Sequence, residues 1–400
     1  MISPSMRQRR QRPGQRPGFP RAGLAFMIAV GVVMTAGCGI SGPGSGVGSA
    51  RASSAPSSTA RAVGAEPTST PSPHFASFVL PSSSNPLPAQ ATLGPDGAIW
   101  YTDSGSPLRI GRISATGEVT TYPLPGVQFS EPAFITAGPD GGLWFTRSGQ
   151  ADVIARMSVS GQYTEYALPH LTSPAGIVAG PDGALWFTES VGNRIGRITP
   201  SGQVREYMLP SATDVQCGQL CPGDITVGPD GALWFVNTQL AGVPGIGRIT
   251  TGGAVSLYSF PARLVPGYSG PVVRQVPTAI TAGRDGNLWF AEDRGPGLGR
   301  VTPAGQITEF EVPGLLQTAA TVRALAAGPD GAVWFTLAQS AGELNPSVST
   351  RPGQLGRVAA DGSVTLFTPP GEGTTGPIVL GKDRSLWAFG MRTVTRVTLG

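Results

Sequence analysis

The chain has 400 residues, 58 of them Gly and 39 Pro, with 28 Lys+Arg against 24 Asp+Glu and a formal net charge of +4. Six of the basic residues and none of the acids precede Cys38, so the remainder carries 22 basic against 24 acidic residues, a net of −2. A basic N-terminus on a near-neutral body gives no ground for a nucleic-acid partner.

The order of the first segment is basic, apolar, small. Residues 1–23 hold six Arg, and Leu24 to Met34 is an apolar run of about 11 residues, too short to span a bilayer. Thr35-Ala36-Gly37-Cys38 follows. This order predicts an export signal over 1–37. A Cys directly after small residues resembles the bacterial lipoprotein cleavage box. That implies lipidation of Cys38 and anchoring on the extracytoplasmic side of the cell membrane. The alternative is an ordinary secretory signal cut nearby, with Cys38 incidental. Residues 38–73 are Ser, Ala, Gly, Pro and Thr with almost no apolar bulk. They read as a flexible tether, unable to bury enough to fold.

From residue 74 to 400 the chain repeats. Gly180-Pro181-Asp182-Gly183-Ala184-Leu185-Trp186 has relatives starting at Gly94, Gly138, Gly228, Gly283, Gly328 and Gly381, seven copies of G-x-D-x-x-[LIV]-W at spacings of 42 to 55 residues. Each copy holds one of the chain's seven Trp. A fixed anchor at this period means one repeated supersecondary unit. In the copy from Pro174 to Pro210, Ile177-Val178-Ala179 is an apolar run and Gly180 to Gly183 a tight turn. Leu185 to Thr188, Arg194 to Thr199 and Val204 to Leu209 then read as strands. Four short strands per repeat predict an all-β, seven-bladed β-propeller. Copy seven ends after its third strand, and Phe75 to Pro81 resembles the missing fourth. The N-terminal strand is therefore predicted to close the ring and leave no open edge.

Recurrence separates scaffold from site. The turn Asp and a third-strand Arg (Arg112, Arg156, Arg197, Arg248, Arg300, Arg357, Arg396) occur in every copy, and read as turn residues and blade-to-blade struts. The Trp read as blade packing. The turns after strands one and three are short and uniform, whereas the connections after strands two and four are long and irregular. The long ones are Pro210 to Pro222, Phe260 to Pro277, Gly314 to Arg323 and Leu337 to Gln354. Function collects on variable loops held by a rigid scaffold, so the long-loop end is the candidate ligand-binding face. It carries Asp103, Arg147, Glu189, Asn237, Glu292 and Asp293 at second-strand ends, and Glu131, Asp224 and Arg323 at first-strand starts. These charges are read as solvated rim groups, with a divalent-cation site as the alternative. Cys217 and Cys221 share one loop and, in an exported protein, predict a small disulfide. A metal pair is the alternative, though no His or further Cys lies nearby in sequence.

The repeat P-x-x-I, G-P-D-G-x-L-W-F-T-E, N-x-I-G-R-I-T-x-x-G, then E-[YF]-x-[LI]-P, carried by Ile177 to Pro210, resembles the virginiamycin B lyase (streptogramin lyase) family. The resemblance covers residues 75–400. It implies a seven-bladed propeller that opens the lactone of streptogramin B antibiotics by elimination. It also implies a His general base on a P-H-x-I start and Mg2+ held by Glu side chains. Here those starts read Ala89, Ala133, Ala175, Gly223, Thr278, Arg323 and Gly376 at the His position. Only His74 and His170 exist in the chain. His170 falls in an early blade, and Glu131 precedes Pro132 as a Glu precedes the family's P-H, but in the wrong blade. The expectation is a monomeric, lipid-anchored propeller that binds a small-molecule or protein ligand at its mouth without the lyase chemistry. Two alternatives stay open. One is an active lyase using Mg2+ with His170 or a carboxylate such as Glu131 as base. The other is an assembly propeller presenting its long-loop face to an envelope protein.

Overall fold

The structure, a computed structural model, describes residues 72–81, 88–125, 130–149, 152–170, 172–210, 222–240, 243–260, 276–293, 295–315, 320–339 and 353–400. The predicted export signal, Cys38, nearly all of the predicted tether, Cys217, Cys221 and most of the long connections lie outside the described residues. The described residues form 28 strands in seven antiparallel four-stranded sheets.

Blade three shows how the repeat builds a sheet. Its strands are Pro174–Ala179, Leu185–Glu189, Arg194–Ile198 and Val204–Met208, each paired with the next. Gly183 takes φ 74° in the first turn, a region open to Gly without strain. Asp182 follows the turn Pro and spreads its carboxylate over three donors. Oδ1 accepts Trp186 Nε1–H at 3.0 Å and the Ala184 N–H at 3.4 Å, and Oδ2 accepts Arg197 Nε–H at 2.7 Å. The Trp186 ring lies flat on Tyr207, with centroids 5.3 Å apart. This explains why Gly, Asp, Trp and the third-strand Arg repeat together. Burial alone would raise the carboxyls of Asp96, Asp140, Asp182 and Asp230, but the Trp and Arg hydrogen bonds outweigh it and hold them below the ordinary carboxylate range.

The recurring Arg is first a strut within its own blade; the expected link between blades is seen at Arg300, which also donates to the Ala360 carbonyl of blade six at 2.8 Å. Arg112, Arg156, Arg197, Arg248, Arg300, Arg357 and Arg396 each pair with the turn Asp of their own sheet. Other residues link the blades too. Thr102, Thr188 and Thr336 donate their hydroxyls to Ala133, Gly223 and Gly376 carbonyls on the next blade, at 2.6–2.8 Å. A fourth-strand aromatic also lies over a turn Gly of the following blade, as Tyr166 does over Gly202. Phe78 on Gly117 and Tyr122 on Gly161 repeat the contact.

Along the second strand, side chains alternate between two seams. Leu185 and Phe187 pack with Trp144 of blade two, and Trp186 packs with Leu233 and Phe235 of blade four. Seven such clusters hold the core. All seven Trp are essentially buried, and a ring that size removes about 150–250 Å2 from water.

The ring closes as predicted. Pro73–Val79 pairs antiparallel with Thr393–Leu399, bringing Phe75 opposite Val397 and Phe78 opposite Val394. Phe78 stacks on Trp387 at 5.6 Å, and Leu80 is buried against the first blade. The first strands of successive blades pack side by side, and that of blade seven (Ile378–Leu380) lies against that of blade one (Pro88–Leu93).

Candidate functional site: the mouth of the ring

The first strand of each blade lines the centre of the ring, and its start faces the long-loop end. Five of these strands carry a Pro at or near their start: Pro88, Pro174 and Pro222 are the first residue, Pro277 the second and Pro132 the third. Proline has no N–H to give a ladder, which suits a strand at the edge of its sheet. The ladder to the second strand then shifts register, between Pro174 and Ile177 in blade three and at the same place in blades one, two and four. Blades five and six shift close by, at Pro277/Ala279 and Val322/Ala324. The bulge frees its residues from pairing and re-aims them.

Those residues differ from blade to blade. At the position two before the Ile of P-x-x-I stand Ala89, Ala133, Ala175, Gly223, Thr278, Arg323 and Gly376. Six are small. Arg323 is exposed, and among the described residues it pairs with no carboxylate. One position further on, Asp224 ties two blades together. Its Oδ1 accepts the Ile225 N–H at 2.9 Å and its Oδ2 accepts the Ile280 N–H of blade five at 3.0 Å. Asp224 keeps some contact with solvent, yet it sits in a crowd of protein atoms that bulk water cannot replace. That desolvation pushes its carboxyl up to about 6 despite the two N–H donors. Glu131, half-buried, is raised by burial as well.

The second-strand ends are not rim charges. Asp103, Arg147, Glu189, Asn237 and Glu292 are each at most 1% exposed, buried in the seams between blades, and only Asp293 is half-buried. The reason is the alternation: each lies two residues after a buried aromatic of its strand (Tyr101, Phe145, Phe187, Phe235 or Phe290) and shares that face. Asp103 Oδ2 accepts Arg109 Nε–H at 2.8 Å, and its Oδ1 accepts the Gly105 N–H at 2.9 Å. Arg109 also reaches the Pro81 carbonyl at 3.3 Å, which fastens the closing segment. Arg147 donates to Glu165 and to the Tyr163 hydroxyl, each at 2.6 Å.

Glu189 is held differently from Asp103 and Arg147. Neither carboxylate oxygen makes a hydrogen bond of good geometry among the described residues, and the Thr172 hydroxyl beside it is likewise unaligned. Burial, reinforced by the neighbouring Glu206, pushes the carboxyl up to about 7 against the pull of Arg194. Arg194 itself leans to Glu206 at 3.6 Å. Asp152, which the sequence did not single out, fastens the same seam by accepting the N–H groups of Thr172 and Ser173, both at 2.6 Å.

The cation expected from the resemblance does not fit these side chains. Asp103 is committed to Arg109, Asp224 to two backbone donors, and Glu189 is enclosed in a seam of its own. Among the described residues no group of three or more His, Cys, Asp or Glu converges on one point. His170 is exposed in the turn beyond the fourth strand of blade two, whereas Glu131 begins near the first strand of that blade. Three strand spacings separate those strands, about 14 Å, so the two do not form an acid–base pair.

Comparison with known proteins places the chain. The virginiamycin B lyase family model matches residues 60–217, 130–266 and 264–399. A solved streptogramin B lyase is 30% identical, with a TM-score of 0.67, over 82% of this chain and 98% of its own. The virginiamycin B lyase from Staphylococcus aureus is 31% identical, with a TM-score of 0.66, over 82% of this chain and 100% of its own. A catalytically inactive His-to-Ala variant of the S. aureus enzyme, solved with quinupristin, matches with the same figures. No curated protein sequence matches.

Proposed function

The chain belongs to the virginiamycin B lyase family, and from that premise we propose that it is an exported, lipid-anchored propeller that binds a ligand at its mouth and lacks the family's lyase chemistry. One observation carries this reading. The seven positions where a P-H-x-I start would place an imidazole hold Ala89, Ala133, Ala175, Gly223, Thr278, Arg323 and Gly376. Removing a proton near neutral pH needs a positioned base of suitable pKa. An Arg, an alkyl group or a hydroxyl at those positions does not supply one. The anchor rests on the order of residues 1–38, which ends in Thr35-Ala36-Gly37-Cys38.

The second reading is a Mg2+-dependent lyase that opens streptogramin B lactones and so confers resistance. What favours it is the likeness to solved lyases over nearly their whole length. Incubation with a streptogramin B and Mg2+ separates the two. Elimination opens the ring without changing its mass, so the readout is chromatography with tandem mass spectrometry. The first reading expects an intact ring, and an opened one supports the second. For the anchor, Cys38→Ala is expected to abolish labelling by a metabolic fatty-acid probe, and a variant still labelled refutes lipidation at that residue.

A further inference from the structure

Among the charged side chains of the mouth, Arg323 alone is exposed on a channel-lining strand without a carboxylate partner among the described residues. Most other arginines near a blade seam or turn are committed, and Arg284 and Arg392, which are exposed, lie in turns and not on the channel-lining strands. Arg109, Arg147 and Arg194 pair with Asp103, Glu165 and Glu206, and the seven third-strand arginines with the turn Asp of each blade. Arg323 sits in the bulge between Val322, opposite Leu337, and Ala324, opposite Thr336, so the ladder does not hold it. The equivalent positions round the ring are Ala, Gly or Thr. A single guanidinium therefore stands in a ring of short, uncharged side chains. Asp224 makes no ion pair with it and holds the backbone N–H groups of Ile225 and Ile280 instead.

We infer that the mouth binds an organic anion, a carboxylate held by Arg323 with the rest of the molecule occupying the space above the small residues. This rests on the reading of the mouth as a ligand site. A guanidinium presents a planar fork of N–H donors that matches a carboxylate with two parallel hydrogen bonds. The six short side chains leave room for the body of the ligand, so they set its size, while Arg323 sets its charge.

The test uses benzoate and its neutral isostere benzamide as probes on the full folded protein. The arginine Nε–H signal that disappears in Arg323→Ala reports the site by NMR. Benzoate is expected to shift that signal saturably, and benzamide to bind about tenfold or more weakly. By isothermal titration calorimetry, which needs no signal from residue 323, Arg323→Ala is expected to lose benzoate binding, while Arg205→Ala, on an outer strand, keeps it. Ala89→Trp, at an exposed position of the same ring, fills the mouth and is expected to block benzoate. If benzoate and benzamide bind alike and Ala89→Trp blocks both, the anion inference is overturned and the mouth remains a ligand site. If benzoate binds wild type, Arg323→Ala and Ala89→Trp equally, both are overturned. No response to benzoate at all also overturns the inference.

Discussion

The two ends of the ring are built by the same strands and obey different rules. At the short-turn end one device repeats: an Asp that pairs with the third-strand Arg in every blade and accepts the Trp N–H in six, with Ser385 as donor in the seventh, and a Gly at positive φ beside it in six of the seven turns. At the mouth no two neighbouring blades carry the same set of polar groups. The repeated end solves a problem each blade shares, which is closing a turn and docking on the next sheet. The divergent end is released from that task by its bulges. Sevenfold repetition therefore marks the scaffold, and its breakdown marks where a ligand has room to act.

The largest way to break this contrast is to open the ring. Removing residues 72–81 takes the fourth strand from blade seven and the contacts of Phe75, Phe78 and Leu80 with the neighbouring seams. Losing large apolar side chains from a core costs on the order of 5 kcal/mol for two of them, comparable with the whole stability of many domains. A protein beginning near Ser82 is expected to melt far below one beginning near Thr70. Equal melting temperatures would show that this strand is dispensable for closure.

A smaller effect comes from the seam between blades two and three. Glu189 titrates at about 7 when folded, against an ordinary value of 4.5. Between those values the folded chain keeps a proton that the unfolded chain has shed. The stability it contributes is full below about 4.5 and is lost as pH rises through 7. Glu189→Gln is expected to be more stable than wild type at pH 8, by up to about 3 kcal/mol. Its melting temperature should also depend less on pH between 4.5 and 7. Some slope remains, because Asp224 is raised to about 6 in the same window. A variant with unchanged pH dependence and no gain at pH 8 contradicts a buried, desolvated Glu189.

At the scaffold end, Asp182→Ala orphans the Trp186 N–H and frees Arg197. Leaving one buried donor unmade costs about 2 kcal/mol, read as a lower urea midpoint with the fold kept. At the mouth, Arg323→Ala is expected to change stability by less than about 0.5 kcal/mol, since the side chain is exposed and unpaired among the described residues. A large loss there would make Arg323 part of the scaffold and weaken the contrast.

The fold was legible because Gly, Asp and Trp recur at fixed offsets and because copy seven stops one strand short, which Phe75 to Leu80 supplies. The site was legible only in part. Asp103, Arg147, Glu189, Asn237 and Glu292 read as rim groups because a charged residue at a strand end, just before a turn, is ordinarily solvated. Burial comes from the neighbouring blade, a contact that one repeat does not contain. A signal was present: the same column holds Leu337 in blade six, an apolar side chain that is buried. The third-strand Arg was legible in part for a related reason, since spacing along the chain does not distinguish a partner in its own sheet from one in the next. Asp152 had no signal, lying outside the repeated pattern.

The measurement that bears most directly on the account is a side-by-side turnover assay of this protein and the S. aureus virginiamycin B lyase. Both receive the same streptogramin B and Mg2+, and the ring is followed by tandem mass spectrometry. The account predicts that the S. aureus enzyme opens the ring while this protein leaves it intact over the same time. Opening by this protein above the protein-free control, lost when the mouth is filled by Ala89→Trp, would contradict it and make the divergent end a lyase site.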